Sequence, residues 1–151
     1  MGLDQYLYAK QYTSEGYARP DMFASLKEAV GTDTKFLVKE SPSISVEMKV
    51  GQWRKSNQIH QYFVDNCQDG EDDCRESYVD RSKLEELLDL CKKVLADNSL
   101  AEELLPAQSG FFFGSTDYNE WYFSDLEDTV SILENCLTIG DNWEFYYQSS
   151  W

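Results

Sequence analysis

The chain has 151 residues, 42% hydrophobic and 15% aromatic, with 13 Lys and Arg against 28 Asp and Glu for a formal net charge of −15. That length suits a single domain over residues 1–151 with one core, and the hydrophobic content excludes a disordered chain. The charge is lopsided, +1 over residues 1–60 and −16 over residues 61–151 with no Lys or Arg after Lys93, which argues against direct nucleic-acid binding by the acidic part.

In chain order, QYLYAK alternates as a first strand, with Leu3, Tyr6 and Tyr8 as its candidates for burial. A short helix follows, with Asp21 as N-cap and Gly31 past its end. SISVEMKVG alternates strictly, Ile44, Val46, Met48 and Val50 facing one way, and reads as a half-buried strand. WRKSNQIHQYFVDNC reads as a helix with Trp53, Ser56, Ile59, His60 and Phe63 along one stripe. After an acidic loop, SYV is a short strand, and Asp80 caps RSKLEELLDLCKKVLAD, whose Leu84, Leu87, Leu88, Cys91, Val94 and Leu95 recur at the helical period. SLAEELLP is a brief helical turn. QSGFFFGST is a compact apolar run, a short strand or a tight buried loop. Asp117 and Glu120 then form a capping pattern for a helix over 118–137 that buries Tyr122, Leu126, Thr129, Val130, Leu133 and Leu137. NWEFYYQSSW closes as a strand. Three to four helices on a small, mainly antiparallel sheet make an α+β fold.

Three segments hold the chemistry. The first is DNCQDGEDDCRE, with six carboxylates in twelve residues: Asp65, Asp69, Glu71, Asp72, Asp73 and Glu76. Counted from Asp65 it approaches a calcium loop, with Gly70 at the turn position and Glu76 at the twelfth. Cys67 at the third position is a soft ligand that calcium disfavours. A negatively charged contact surface and a solvated polar turn stay open beside it. The second is WRKSNQIH, where Arg54 offers a planar fork, Lys55 a point charge, Asn57 an amide and His60 a titratable ring, a set suited to gripping an anion at a helix start. The same residues read equally well as a core Trp53 and His60 flanked by solvated cations. The third, FFFGST, brings Ser115 and Thr116 to a glycine turn before a helix, although no lysine follows as in a phosphate loop.

Cys67, Cys74, Cys91 and Cys136 form no C-x-x-C pair, and their spacings with the single histidine, His60, argue against a zinc site. The start lacks the basic flank and apolar run of a signal peptide, and Tyr6 stands where a myristoylation motif needs Ser or Thr. No cofactor motif occurs, and without G-x-S-x-G or a second histidine nothing marks a nucleophile. The acidic bias leaves a basic partner, a metal or plain solubility open. The surplus of aromatic rings suits a pocket, a contact surface or a homodimer.

The blocks MGLDQYLYAK, WRKSNQIHQYFVDNCQDGEDDC, LLPAQSGFFFGSTDYNEWY and FYYQSSW span the chain in order. Together they resemble a family of small uncharacterised proteins encoded by bacteriophages and prophages. The W-R-K-x-N-x-I-H block is matched by Trp53, Arg54, Lys55, Asn57, Ile59 and His60, and the glycine block by residues 110–116. The resemblance implies a phage origin and a cytoplasmic setting in the bacterial host; it supplies no activity. Two expectations follow: a non-enzymatic inhibitor of a host defence factor, presenting an acidic and DNA-like surface at the 65–76 loop to a basic protein, or a nucleotide-binding or nucleotide-cleaving protein using Trp53, Arg54, Lys55, Asn57, His60, Ser115 and Thr116.

Overall fold

The computed structural model describes residues 2–31 and 37–151. The fold is α+β. In order it runs β1 (Asp4–Ser14), α1 (Pro20–Val30), β2 (Ser43–Arg54), α2 (Asn57–Cys67), β3 (Ser77–Val79), α3 (Arg81–Ala96), a 3-10 turn (Asn98–Leu100), α4 (Ala101–Leu104), α5 (Glu120–Leu137) and β4 (Glu144–Ser150). The strands form one antiparallel sheet in the order β2-β1-β4-β3. At one edge Ser77, Tyr78 and Val79 face Tyr147, Tyr146 and Phe145. Among the described residues no helix is long and apolar enough to cross a membrane.

The chain divides into two compact units, Met1–Ala9 with Lys49–Trp151, and Lys10–Met48. In the smaller one, Thr13 Oγ1 donates to Ile44 O at 2.8 Å and the Ser14 hydroxyl accepts from Ala18 N at 2.9 Å, closing the turn that leads to α1. Pro20 opens that helix at its first position, where no N–H is needed, so the start lies at Arg19 rather than at an Asp21 cap. Gly31 ends it as expected.

The larger unit is built round α3 and α5. Leu84, Leu87, Cys91 and Val94 of α3 and Tyr122, Leu126, Thr129, Leu133 and Cys136 of α5 are buried, while Leu88, Leu95, Val130 and Leu137 pack at the margin. Asp80 caps α3 by accepting from Ser82 N, as the sequence indicates. For α5 the cap is Asn119, whose Oδ1 accepts from Trp121 N and Tyr122 N; the Asp117 carboxylate instead takes the Ser115 hydroxyl at 2.9 Å. At the centre Phe63 of α2 stacks on Tyr147 of β4, centroids 4.2 Å apart.

β1 departs from expectation in phase. Its inward residues are Gln5, Leu7, Ala9, Gln11 and Thr13, and Tyr6 and Tyr8 lie half-exposed on the other side. Gln5 explains the choice, since Nε2 donates to Ser56 O at 3.0 Å and Oε1 accepts from Ser56 N at 3.1 Å. A buried side-chain amide that bonds both the N–H and the C=O of one residue leaves no polar group unsatisfied, which is what makes its burial tolerable.

Candidate functional site

The segment WRKSNQIH is divided between two elements. β2 runs on through Trp53 and Arg54, Lys55 turns the chain, and α2 begins at Asn57, where the sequence suggests a helix from Trp53 onward. The break lies at Lys55, whose φ of 58° puts a non-glycine residue in the left-handed region. Its N–H donates to Leu3 O at 2.7 Å, and its carbonyl accepts from Asn57 N at 3.0 Å. Its aliphatic stem is confined by two glycines. A Cβ on Gly2 would stand 3.1 Å from Lys55 Cε, and one on Gly114 would stand 3.2 Å from Lys55 Cβ.

Of the seven residues expected to hold a ligand, the structure sends three into structural duty. Trp53 is buried, and its indole N–H donates to Thr129 Oγ1 at 2.9 Å. His60 is fully buried, with Nδ1 2.8 Å from the Tyr147 hydroxyl and Nε2 2.8 Å from Asp72 Oδ2. A carboxylate accepts only, so Nε2 is the N–H that Asp72 takes. Asn57 uses its whole amide on the glycine-rich segment: Nδ2 donates to Phe113 O and Ser115 O at 3.1 and 2.9 Å, and Oδ1 accepts from Gln108 N at 2.8 Å.

The other four remain at the surface. Arg54 and Lys55 are exposed and, with Ser115, line a cleft of about 260 Å³. Thr116 is exposed outside that lining. Ser115 Oγ donates to Asp117 and accepts from Asp117 N, so it shapes the turn. The approach to α5 and its first turns supply lining that the sequence reading left out: Asp117, read only as a helix cap, and Asn119, Trp121 and Asp125, which it did not single out. Burial raises the Asp125 carboxyl above the usual carboxylate range, and nearby Ser56 and Gln58 pull it partly back. Gly110 is required where Phe113 folds back, because a Cβ there would meet the Phe113 ring at 2.6 Å. The FFF run is therefore a turn rather than a strand, with Phe111 94% exposed.

The acidic loop is knotted to its own arginine. Arg75 lies 3.7 to 3.9 Å from Asp69, Glu71 and Asp73, and its guanidinium donates to Gln68 O. Gln68, fully buried, donates back to Arg75 O at 3.0 Å. Asp72 is held by His60 and by the Trp151 indole N–H at 3.1 Å, and Asp65 accepts from Gln61 at 2.8 Å. Left-handed Asp69, Gly70 and Cys74 make the bends. Glu76 leads directly into β3, where a calcium loop would enter a helix. Among the described residues no three His, Cys, Asp or Glu groups converge as a metal site requires. A separate depression of about 620 Å³ within the smaller unit is lined by Tyr12, Tyr17, Glu15 and Lys39 among others.

The four cysteines are free. Burial pushes the thiols of Cys67 and Cys136 up to about 11 and that of Cys91 up to about 12, from an ordinary value of 9. Raised folded-state values keep their full contribution to stability below the unfolded thiol range and lose it as pH climbs through 11 to 12. At pH 8 a small maleimide should accordingly leave Cys91 and Cys136 unmodified in the folded protein and label both in urea. Equal labelling in the two states would contradict the burial.

No family model matches the chain, and neither a curated protein nor a solved structure does.

Proposed function

We propose that this chain is a non-enzymatic phage accessory protein that inhibits a bacterial host factor stoichiometrically, meeting a basic surface on that factor with the outward face of α5. The phage setting rests on the resemblance of the W-R-K-x-N-x-I-H and G-F-F-F-G-S-T blocks. The observation that carries the reading is the charge of that helix. Glu120, Ser124, Glu127, Asp128, Ser131 and Glu134 fall on the exposed side opposite the buried stripe, and α5 contains no Lys or Arg. Glu134 pairs with Lys92 at 2.6 Å, while Glu120, Glu127 and Asp128 have no ion-pair partner among the described residues. The 65–76 loop, although richer in carboxylates, is less suited to the role, because Asp69, Glu71 and Asp73 gather round Arg75 and Asp72 is tied to the buried His60 ring and to Trp151.

Charge density decides how far the face imitates DNA. From Glu120 to Glu134 is about 21 Å along a helix at 1.5 Å per residue. Four carboxylates over that length give roughly one per 5 Å, against one charge per about 1.7 Å of duplex axis. The face is a steering and docking surface rather than a copy of a duplex, which favours a basic protein patch of ordinary density.

Affinity capture from bacterial lysate followed by titration of the captured protein at varied salt tests this. Reversing Glu120, Glu127 and Asp128 to lysine should weaken binding more than about tenfold and flatten its salt dependence, as expected for close charge pairs. Unchanged affinity in that variant, with a loss on reversing Asp69, Glu71 and Asp73 instead, would move the contact to the loop and overturn the assignment to α5.

A further inference from the structure

The cleft at the β2–α2 junction has a composition that the partner surface leaves unused. The junction contributes Arg54 and Lys55; the approach to α5 contributes Asp117, Asp125 and Trp121. Opposite charges thus share one small cavity without forming ion pairs across it. The ion pair of Arg54 goes to Asp4, at 3.8 Å and outside the lining, and its side chain is 65% exposed. Trp121, 73% exposed, lies beside them, although an indole of that size is ordinarily well covered. Two further observations mark the place as built. Lys55 is held in a strained left-handed conformation with its stem confined at Gly2 and Gly114, and strain of this kind persists only where surrounding structure imposes it. Beneath the junction, Ser56 is fully buried and its hydroxyl lies close enough to Asp125 to pull that carboxyl down, tying the turn to the acid of the cleft.

We infer that the cleft binds a nucleoside monophosphate, with the phosphate on Arg54 and Lys55, the base stacked on Trp121 and the N–H edge of the base on the carboxylates of Asp125 and Asp117. Each part of the ligand finds the group its chemistry needs. A phosphate monoester takes a guanidinium fork and an ammonium. A base offers a π-face, worth about 1–3 kcal/mol on an aromatic side chain, and donors for carboxylate acceptors. A bare anion would meet Asp117 and Asp125 with no compensation, so inorganic phosphate alone fits poorly. At about 260 Å³ the cleft lies just under the usual small-molecule range of about 300–1,000 Å³, a size that limits it to a single small ligand partly open to solvent. A polynucleotide would bring further phosphates against the acidic part of the chain.

Calorimetry and thermal melts with guanosine monophosphate, guanosine and inorganic phosphate separate the contributions. The monophosphate should raise the melting temperature and quench tryptophan fluorescence, and it should bind at least about tenfold more tightly than guanosine or phosphate. Arg54→Ala with Lys55→Ala should remove the advantage over guanosine, and Arg54→Gln alone, at a side chain 65% exposed, should weaken the monophosphate while leaving the ligand-free melt unchanged. Trp121→Ala should remove the quench. Asp125→Asn should weaken the nucleotide while leaving phosphate unaffected. No binding at millimolar nucleotide overturns the inference. So does phosphate binding as tightly as the nucleotide, which would mark a plain anion site.

Discussion

Replacing His60 with alanine is expected to destabilise the fold by about 3–5 kcal/mol, the range seen when one partner of a buried polar pair is removed. The ring is fully buried and joins three elements: α2, which carries it, β4 through the Tyr147 hydroxyl, and the acidic loop through Asp72. Alanine leaves Tyr147 with a buried hydroxyl short of one partner, frees Asp72 from its closest contact, and opens a void beside the Phe113 ring, whose centroid lies 5.1 Å from the imidazole. For a chain of this length that cost lowers the melting temperature by roughly 6–20 °C. Hydrogen exchange should quicken through residues 68–76 before it quickens in α3 or α5. A double-mutant cycle with Asp72→Ala should show coupling above about 1 kcal/mol. A His60→Ala protein that melts within 1 °C of the parent would show that the imidazole is no keystone.

The second large effect is expected at Asn57. Its amide makes three hydrogen bonds, all to the segment between Gln108 and Ser115. At about 1 kcal/mol net per bond, Asn57→Ala should cost about 2–4 kcal/mol, less than His60 because water can reach the partly exposed loop and replace some partners. Asn57→Asp is the sharper test. The carboxylate still accepts from Gln108 N but turns two donations into repulsion against the Phe113 and Ser115 carbonyls, so a nearly isosteric change should be at least as harmful as alanine. Either variant should also loosen Gly114 from Lys55 and abolish nucleotide binding in the cleft. If Asn57→Asp is as stable as the parent, the amide is not the clamp.

Much of the fold was legible because its longest elements bury regular stripes. The leucines of α3 and the Tyr122–Leu126–Thr129–Leu133 line of α5 follow from periodicity alone, whereas the Ile44–Val50 alternation yields a strand in which Ile44, Val46 and Val50 are half-buried and Met48, expected on the same face, is exposed. The phase of β1 was not legible, because a glutamine reads as a surface residue until its partner, the backbone N–H and C=O of Ser56 some fifty residues away, is known. The break at Lys55 was hidden for a related reason. Nothing in W-R-K-S-N announces a left-handed lysine, and the helical spacing of Trp53, Asn57 and His60 arises from a strand end followed by a helix start. For the cleft, composition located the cations and missed the carboxylates. Arg54 and Lys55 stand out in a chain poor in bases, whereas Asp125 is one acid among 28, singled out only by what covers it.

The order β2-β1-β4-β3 sets the first of the described strands beside the last in the middle of the sheet. On a ribosome, β1 therefore waits for its central neighbour while every helix is already made, and joining the two closes a loop of more than a hundred residues. Assembly of the sheet becomes a late, slow event that waits on the synthesis of β4. A protease nick just ahead of Glu144 would leave the α3–α5 pair with half a floor, prone to stick to whatever chaperone or aggregate lies nearest.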